Sequence, residues 1–197
     1  MMTQQGLEVC PWAKGDNYVA YHNDEWGIPC YDDNKLFEKL CLEGQQAGLS
    51  WITVLNKRAH YRKCFHRFNP NKIAKMSDEE IEELLQDAGL IRNRLKLYGI
   101  RKNAIAFLAL KKELKKEKKS FSDFIWEFVD GKVQVNHYKA LKDMPAKVPE
   151  AEAMSKALKK AGFTFVGPTI CYAFMQSMGL VNDHLVSCPC HPDNNGQ

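Results

Sequence analysis

Glu43 sits where a carboxylate is costly. At about 100° per residue, Leu36, Leu40, Glu43 and Ala47 fall along one edge of the apolar stripe of a single helix, and a charge there needs a cation or a hydrogen-bond donor. An arginine from the middle of the chain would satisfy it as a structural partner, and a cationic ligand as a functional one. Trp12, Tyr18, Tyr21, Trp26 and Trp51 share the same part of the chain. Such residues usually fill a core. Around a carboxylate, however, flat rings also hold a flat cation, by stacking and cation–π attraction on its faces and a charge-assisted hydrogen bond at its edge. An N-alkylated purine has that shape and charge.

A second constellation has metal-ligand chemistry. His184 and Cys188 are four residues apart, which puts both on one face if the segment is helical. Cys10 and His22 could complete a Cys2His2 tetrahedron tying the chain ends together, with Cys190 and His191 as competing ligands. Cys30, Cys41, Cys64 and Cys171 read as packing thiols. A third pattern, residues 88–94 (Ala-Gly-Leu-Ile-Arg-Asn-Arg), joins two helical stretches by a short turn. Backbone N–H groups at the start of the second helix, with Arg92 and Arg94 nearby, suit phosphate, as in helix-hairpin-helix proteins. Any αα-corner can look similar.

The elements that must position these groups are helical. The spacing predicts a short helix over 18–26, one over 33–47 capped by Asp32 or Asp33, and an apolar segment from Trp51 to a break at Asn69-Pro70. Ser77-Asp78-Glu79-Glu80 is a capping-box pattern ahead of Ile81, Leu84, Leu85 and Ala88. Leu97, Ile100, Ala104, Phe107 and Leu108 mark the next helix, and further ones are expected over 121–129, 154–161 and 170–178, with 131–149 mostly irregular. No sustained alternation and no repeat is visible, so the predicted fold class is all-α, in one domain of residues 1–197.

Composition agrees with a globular chain: 197 residues, 45% hydrophobic, 26% charged, net charge +4. The charge is uneven. Residues 1–50 carry 3 Lys/Arg against 8 Asp/Glu, residues 51–119 carry 18 against 8, and residues 120–197 carry 7 against 8. The basic middle suits a polyanion, or is simply a solvated lysine-rich helix, above all in residues 111–119. No apolar run reaches the roughly 18 residues of a membrane helix, and Met-Met-Thr-Gln-Gln lacks the features of a secretion signal. Seven cysteines without a framework spacing fit a reducing compartment. A cytoplasmic monomer is expected.

Residues 18–27 (YVAYHNDEWG), 42–51 (LEGQQAGLSW) and 179–184 (GLVNDH) together closely resemble the bacterial 3-methyladenine DNA glycosylase I family, along nearly the whole chain. The resemblance implies a helix-hairpin-helix glycosylase fold acting on alkylated double-stranded DNA, residues 51–119 forming its basic part. It implies that Glu43 and Tyr21 hydrogen-bond the base, that Trp51 stacks on it, and that Tyr18 and Trp12 wall the pocket. Gly48 and Leu49 would enter the gap left by the flipped nucleotide. Cys10, His22, His184 and Cys188 would hold a structural Zn2+. The interval from Cys10 to His22 is one residue shorter than the family pattern, which bears on where Trp12 sits.

An N3-methylated adenine is already cationic and leaves as a neutral base, so little acid catalysis is needed and no lysine Schiff base is expected. The enzyme must extract the nucleotide and hold the base. Two rivals are a non-catalytic helix-hairpin-helix DNA-binding module and a zinc-stabilised enzyme acting on a small cationic metabolite.

Overall fold

The computed structural model describes residues 7–194; the opening read above for a secretion signal lies outside them. Helices dominate, in the order α1 (Asp16–Asp24), α2 (Asp33–Gln46), α3 (Trp51–Cys64), α4 (Pro70–Ile73), α5 (Asp78–Leu84), α6 (Arg94–Lys116), α7 (Phe121–Trp126), α8 (Pro149–Lys160) and α9 (Pro168–Ser177). One feature departs from the all-α expectation. Gln134–Val135 (β1) and Val181–Asn182 (β2) pair in parallel, Gln134 opposite Val181. Two residues per strand are too few for alternation to appear in a sequence.

Local chemistry sets the helix ends. Asp32 caps α2 by accepting from Lys35 N, Ser77 and Glu80 form the reciprocal box at α5, and Asn93 caps α6 by accepting from Lys96 N. Pro at the first turn starts α4, α8 and α9. Helix α6 runs through much of the lysine stretch, where Lys111 pairs with Asp33, Lys116 with Glu113 and Lys119 with Glu127. Among the described residues no helix is long and apolar enough to cross a membrane.

Helix α2 is the axis of the core, packed against α3, α6, α7 and α9. Leu36, Phe37, Leu40, Cys41 and Leu42 are buried together with Lys39, Glu43 and Gln45, so the helix is enclosed nearly all round and not merely along its stripe. Each large apolar side chain so buried contributes about 1.5–3 kcal/mol. Phe165, in the left-handed region at φ 55°, wedges between α2 and α6. It fits because Gly44 and Gly99 offer no Cβ: one added at either would stand 3.0 Å from its side chain. That wedge holds the C-terminal half of α2, and so Glu43, at fixed height.

Candidate active site

A cleft of about 200 Å³ opens at the C-terminal half of α2, walled by Trp12, Tyr18, Tyr21, Trp26 and Trp51 with Glu43, Gln46, Met144, Ala173 and Gln176. The residues come from four helices and the flanking loops, which is why no single string shows the site whole. Trp51 is the first residue of α3, directly after the Gly48-Leu49-Ser50 loop, while Tyr18 and Tyr21 share one face of α1. The rings form a continuous wall, Trp12 lying 4.9 Å from Tyr18 and 5.0 Å from Trp26 between centroids, and Tyr21 lying 5.5 Å from Trp51. The shortened interval therefore leaves Trp12 in the cleft.

Glu43 is 3% exposed. Its partner is not an arginine: Lys39, one turn earlier on α2, places Nζ 3.0 Å from Oε1. The same ammonium donates to the Tyr21 hydroxyl at 2.7 Å and lies 3.3 Å from the Trp51 ring centroid. Burial pulls Lys39 down to about 8, against the opposing pull of Glu43. Burial first, and then the Glu43 charge, raise the Tyr21 phenol well above its ordinary value, so it keeps its proton. Among the described residues, the buried side-chain polar atoms without a hydrogen-bond partner are Glu43 Oε2 and Trp51 Nε1. Both belong to this cleft. Orphaned polar atoms are rare in folded proteins because each forfeits its hydration. An acceptor and a donor left open in one aromatic cleft describe a site for a flat polar ligand.

Beside the cleft, Cys10, His22, His184 and Cys188 bring four buried ligand atoms within 4.8 Å of one another. His184 Nδ1 lies 3.1 Å from His22 Nε2, 3.5 Å from Cys188 Sγ and 3.8 Å from Cys10 Sγ, and Cys188 Sγ lies 3.4 Å from His22 Nε2, close to the edges of about 3.3–3.8 Å of a tetrahedron with Zn–N near 2.0–2.1 Å and Zn–S near 2.3 Å. The outward nitrogens are occupied, His184 Nε2 facing the Trp26 carbonyl at 3.1 Å and His22 Nδ1 facing Asn23 Oδ1 at 2.7 Å, which leaves unprotonated nitrogens inward. The neighbouring Cys10 thiol, with His184 and His22, holds the Cys188 thiol far below its ordinary value, while Cys10 is raised in turn. The donor set fits a closed zinc site. The stretch from His184 to Cys188 is a turn, with Cys188 N bonded to Leu185 O at 2.7 Å, so the two ligands converge without the helix on which the spacing argument was conditioned. Cys190 and His191 face Asn23 and Asn136 instead.

The α5–α6 turn is braced from two sides. Asp87 accepts from Gly89 N at 2.7 Å and meets His60 Nε2 at 2.6 Å, and Lys57 donates to Ala88 O at 2.8 Å. Tyr61 accepts from Ile91 N and donates to Gln45 Oε1, while Lys96 Nζ donates to the carbonyls of Gln45 and Ala47. The turn is thereby tied to the end of α2, where Gly48, at φ 75°, and half-exposed Leu49 form the next loop. Arg92 and Arg94 are exposed, and Arg94 pairs with Glu82. Cys64, read as a packing thiol, is half-buried and lies 3.8 Å from Asp87 Oδ2 beside His60.

The methyladenine glycosylase family matches residues 12–191. The chain belongs to that family. DNA-3-methyladenine glycosylase 1 of Escherichia coli is 53% identical over 189 residues, 95% of this chain and 99% of the relative. DNA-3-methyladenine glycosylase of Haemophilus influenzae is 57% identical over 182 residues, 92% of this chain and 96% of the relative. A crystal structure of a 3-methyladenine DNA glycosylase I superposes with TM-score 0.89 at 54% identity, covering 94% of this chain and 100% of that one. The enzyme from Staphylococcus aureus, solved for its recognition of 3-methyladenine, superposes with TM-score 0.89 at 36% identity, covering 95% and 98%.

Members of the family thus share this chain's helical frame across nearly its full length. Lys39 and Gln46 were missed by sequence reasoning, as were the Gln45–Tyr61 and Lys96 contacts behind them. For Lys39 a signal existed, since it stands four residues before Glu43 on one helix.

Proposed function

We propose that this methyladenine glycosylase excises 3-methyladenine from alkylated double-stranded DNA by hydrolysing the N-glycosidic bond, leaving an abasic site without lyase chemistry. The observation that carries the reading is Glu43 Oε2, a buried carboxylate oxygen with no partner in a cleft of aromatic rings. A methylated adenine supplies the missing cation. Glu43 and Tyr21 hydrogen-bond its edge, Trp51 stacks on its face, and Tyr18 and Trp12 close the sides. Neutral adenine gains less from the same groups, so selection and rate share one origin.

As the bond breaks, the base becomes neutral and positive charge moves to the sugar, where the DNA phosphates stabilise it and water captures it. The α5–α6 turn serves as the helix-hairpin-helix contact to the phosphates, with Arg92 and Arg94 adding charge. Gly48 and Leu49 fill the space of the extruded nucleotide. Zn2+ on Cys10, His22, His184 and Cys188 is structural, joining both ends of the chain in one lobe of a single domain. The deciding assay is release of free 3-methyladenine from methylated DNA under single-turnover conditions. DNA binding without base release leaves only the non-catalytic module.

A further inference from the structure

Lys39 has no part in the chemistry above, yet it touches the three groups assigned to the base: Glu43, Tyr21 and Trp51. It does not line the cleft. It borders a separate hollow with Glu25, Glu38, Arg58 and Arg62, and so reaches the carboxylate from behind. Oε1 is occupied on that side, and Oε2 is left open.

We propose that Lys39 is a positioning residue that keeps Glu43 a charged, fixed carboxylate, holding Oε1 from behind so that Oε2 is presented to the base. The inference rests on the glycosylase reading. The geometry matters because a carboxylate this enclosed depends on its counter-charge, since burial without a partner disfavours the charged form. A protonated Glu43 would offer a methylated base no counter-ion.

The remaining charges near the pair are already committed. Glu25 is paired with Arg58, and Glu38 with Arg62. The Tyr18 and Tyr21 phenols are both raised above their ordinary value and stay neutral. Helix α9 contributes the uncharged Ala173 and Gln176 to the cleft. Lys39 is thus the cation in contact with Glu43 among the described residues, and burial, which brings it to about 8, still leaves it charged at neutral pH.

Lys39→Met keeps the length of the stem and removes the charge. Single-turnover excision is to be measured across the pH range for the wild type, Lys39→Met and Lys39→Arg. The expected result is an acid limb displaced upward by about one pH unit or more in the methionine variant, and held near its wild-type position by arginine. A merely structural role lowers the rate by one factor at every pH. Should the methionine variant fail to fold, Lys39→Gln keeps a hydrogen-bonding group at this position without the charge and reads the same limb.

Infrared difference spectra between each protein and its Glu43→Gln counterpart give a readout independent of activity. A carboxylate band is expected in the wild type at neutral pH, and a protonated carbonyl band in the Lys39→Met protein. A folded Lys39→Met protein with an unmoved acid limb and an intact carboxylate band overturns the proposal. If the wild type releases no base at all, the glycosylase reading fails instead, and the infrared comparison still decides the role of Lys39.

Discussion

Replacing Glu43 by Gln alters one atom and one charge. The amide oxygen can still accept from Lys39 Nζ where Oε1 does now, at 3.0 Å, so the side chain keeps its position and the cleft its walls. What disappears is the charged acceptor at Oε2, which has no other partner among the described residues. A hydrogen bond to a charged group contributes about 1.5–3 kcal/mol. At 1.36 kcal/mol per tenfold, its loss slows single-turnover excision by roughly 10- to 150-fold. The Lys39 charge behind the carboxylate offsets part of the attraction, which favours the lower half of that range. Folding is expected to change little. Lys39 retains the Tyr21 hydroxyl at 2.7 Å, and its proton, already loosened by burial, can be shed once the carboxylate is gone. The melting temperature should move by no more than about 5 °C, the scale of 1–2 kcal/mol in a domain of this size. The assay is release of labelled 3-methyladenine with enzyme in excess, beside metal content and a melting curve. Excision within twofold of the wild type, in a protein that melts normally, refutes the assignment of Glu43 to the base.

Three further outcomes are expected. Cys188→Ser should abolish binding of one Zn2+ per chain and lower the melting temperature by about 5 °C or more, because a structural zinc contributes folding free energy directly; metal analysis and calorimetry check this, and an unchanged melt means the cluster carries no structural ion. Arg92→Ala and Arg94→Ala should weaken DNA binding irrespective of sequence and reduce the slope of log K against log salt by about one each, so equal slopes in a salt titration exclude both from phosphate contact. Glu25, whose carboxyl is held below its ordinary value by hydrogen bonds from Arg58, contributes stability that is present above that ordinary value and lost as pH falls through the lowered one. Glu25→Gln should therefore flatten the acid loss of stability by a fraction of a kcal/mol, the range for a partly exposed pair, as read from urea midpoints at falling pH; an unchanged acid loss excludes the ion pair as its source.

Much of the frame was legible because it rests on local rules. The caps at Asp32 and Ser77 and the apolar periods of α2, α5 and α6 each act within a few residues, and each appears where its rule puts it. The Cys/His residues were legible as candidate ligands, with Cys190 and His191 in competition until the family resemblance singled out the four that the structure brings together. The geometry that joins them was not, since residues 184–188 converge through a turn whose shape depends on β2 and the N-terminal segment. The partner of Glu43 was sought among distant arginines because the basic surplus lies there, whereas the structure uses a lysine one turn away on the same helix. A buried lysine is uncommon enough that nothing in the sequence drew attention to position 39. The tie from Lys96 to Gln45 and Ala47 joins residues about fifty positions apart, and nothing in their spacing signals it.

The cluster and the cleft are one construction, which explains why a small site needs both ends of the chain. Two of the five rings in the cleft stand on backbone that no helix holds: Trp12 precedes α1, and Trp26 follows it. His184 fixes the second through the Trp26 carbonyl, and the His22 ring stands 5.1 Å from Trp12. Behind them, buried Asp183 accepts from Tyr172, Gln176 and Asn136, anchoring the strand pair beside the ligand turn and orienting Gln176 at the cleft. Rings carried on loops are ordinarily the more mobile part of such a wall. Here the buried Cys10, His22, His184 and Cys188 cluster and the fully hydrogen-bonded Asp183 flank those rings, and under the proposed reading the free energy forfeited at Glu43 Oε2 is recovered when a cation of matching shape enters.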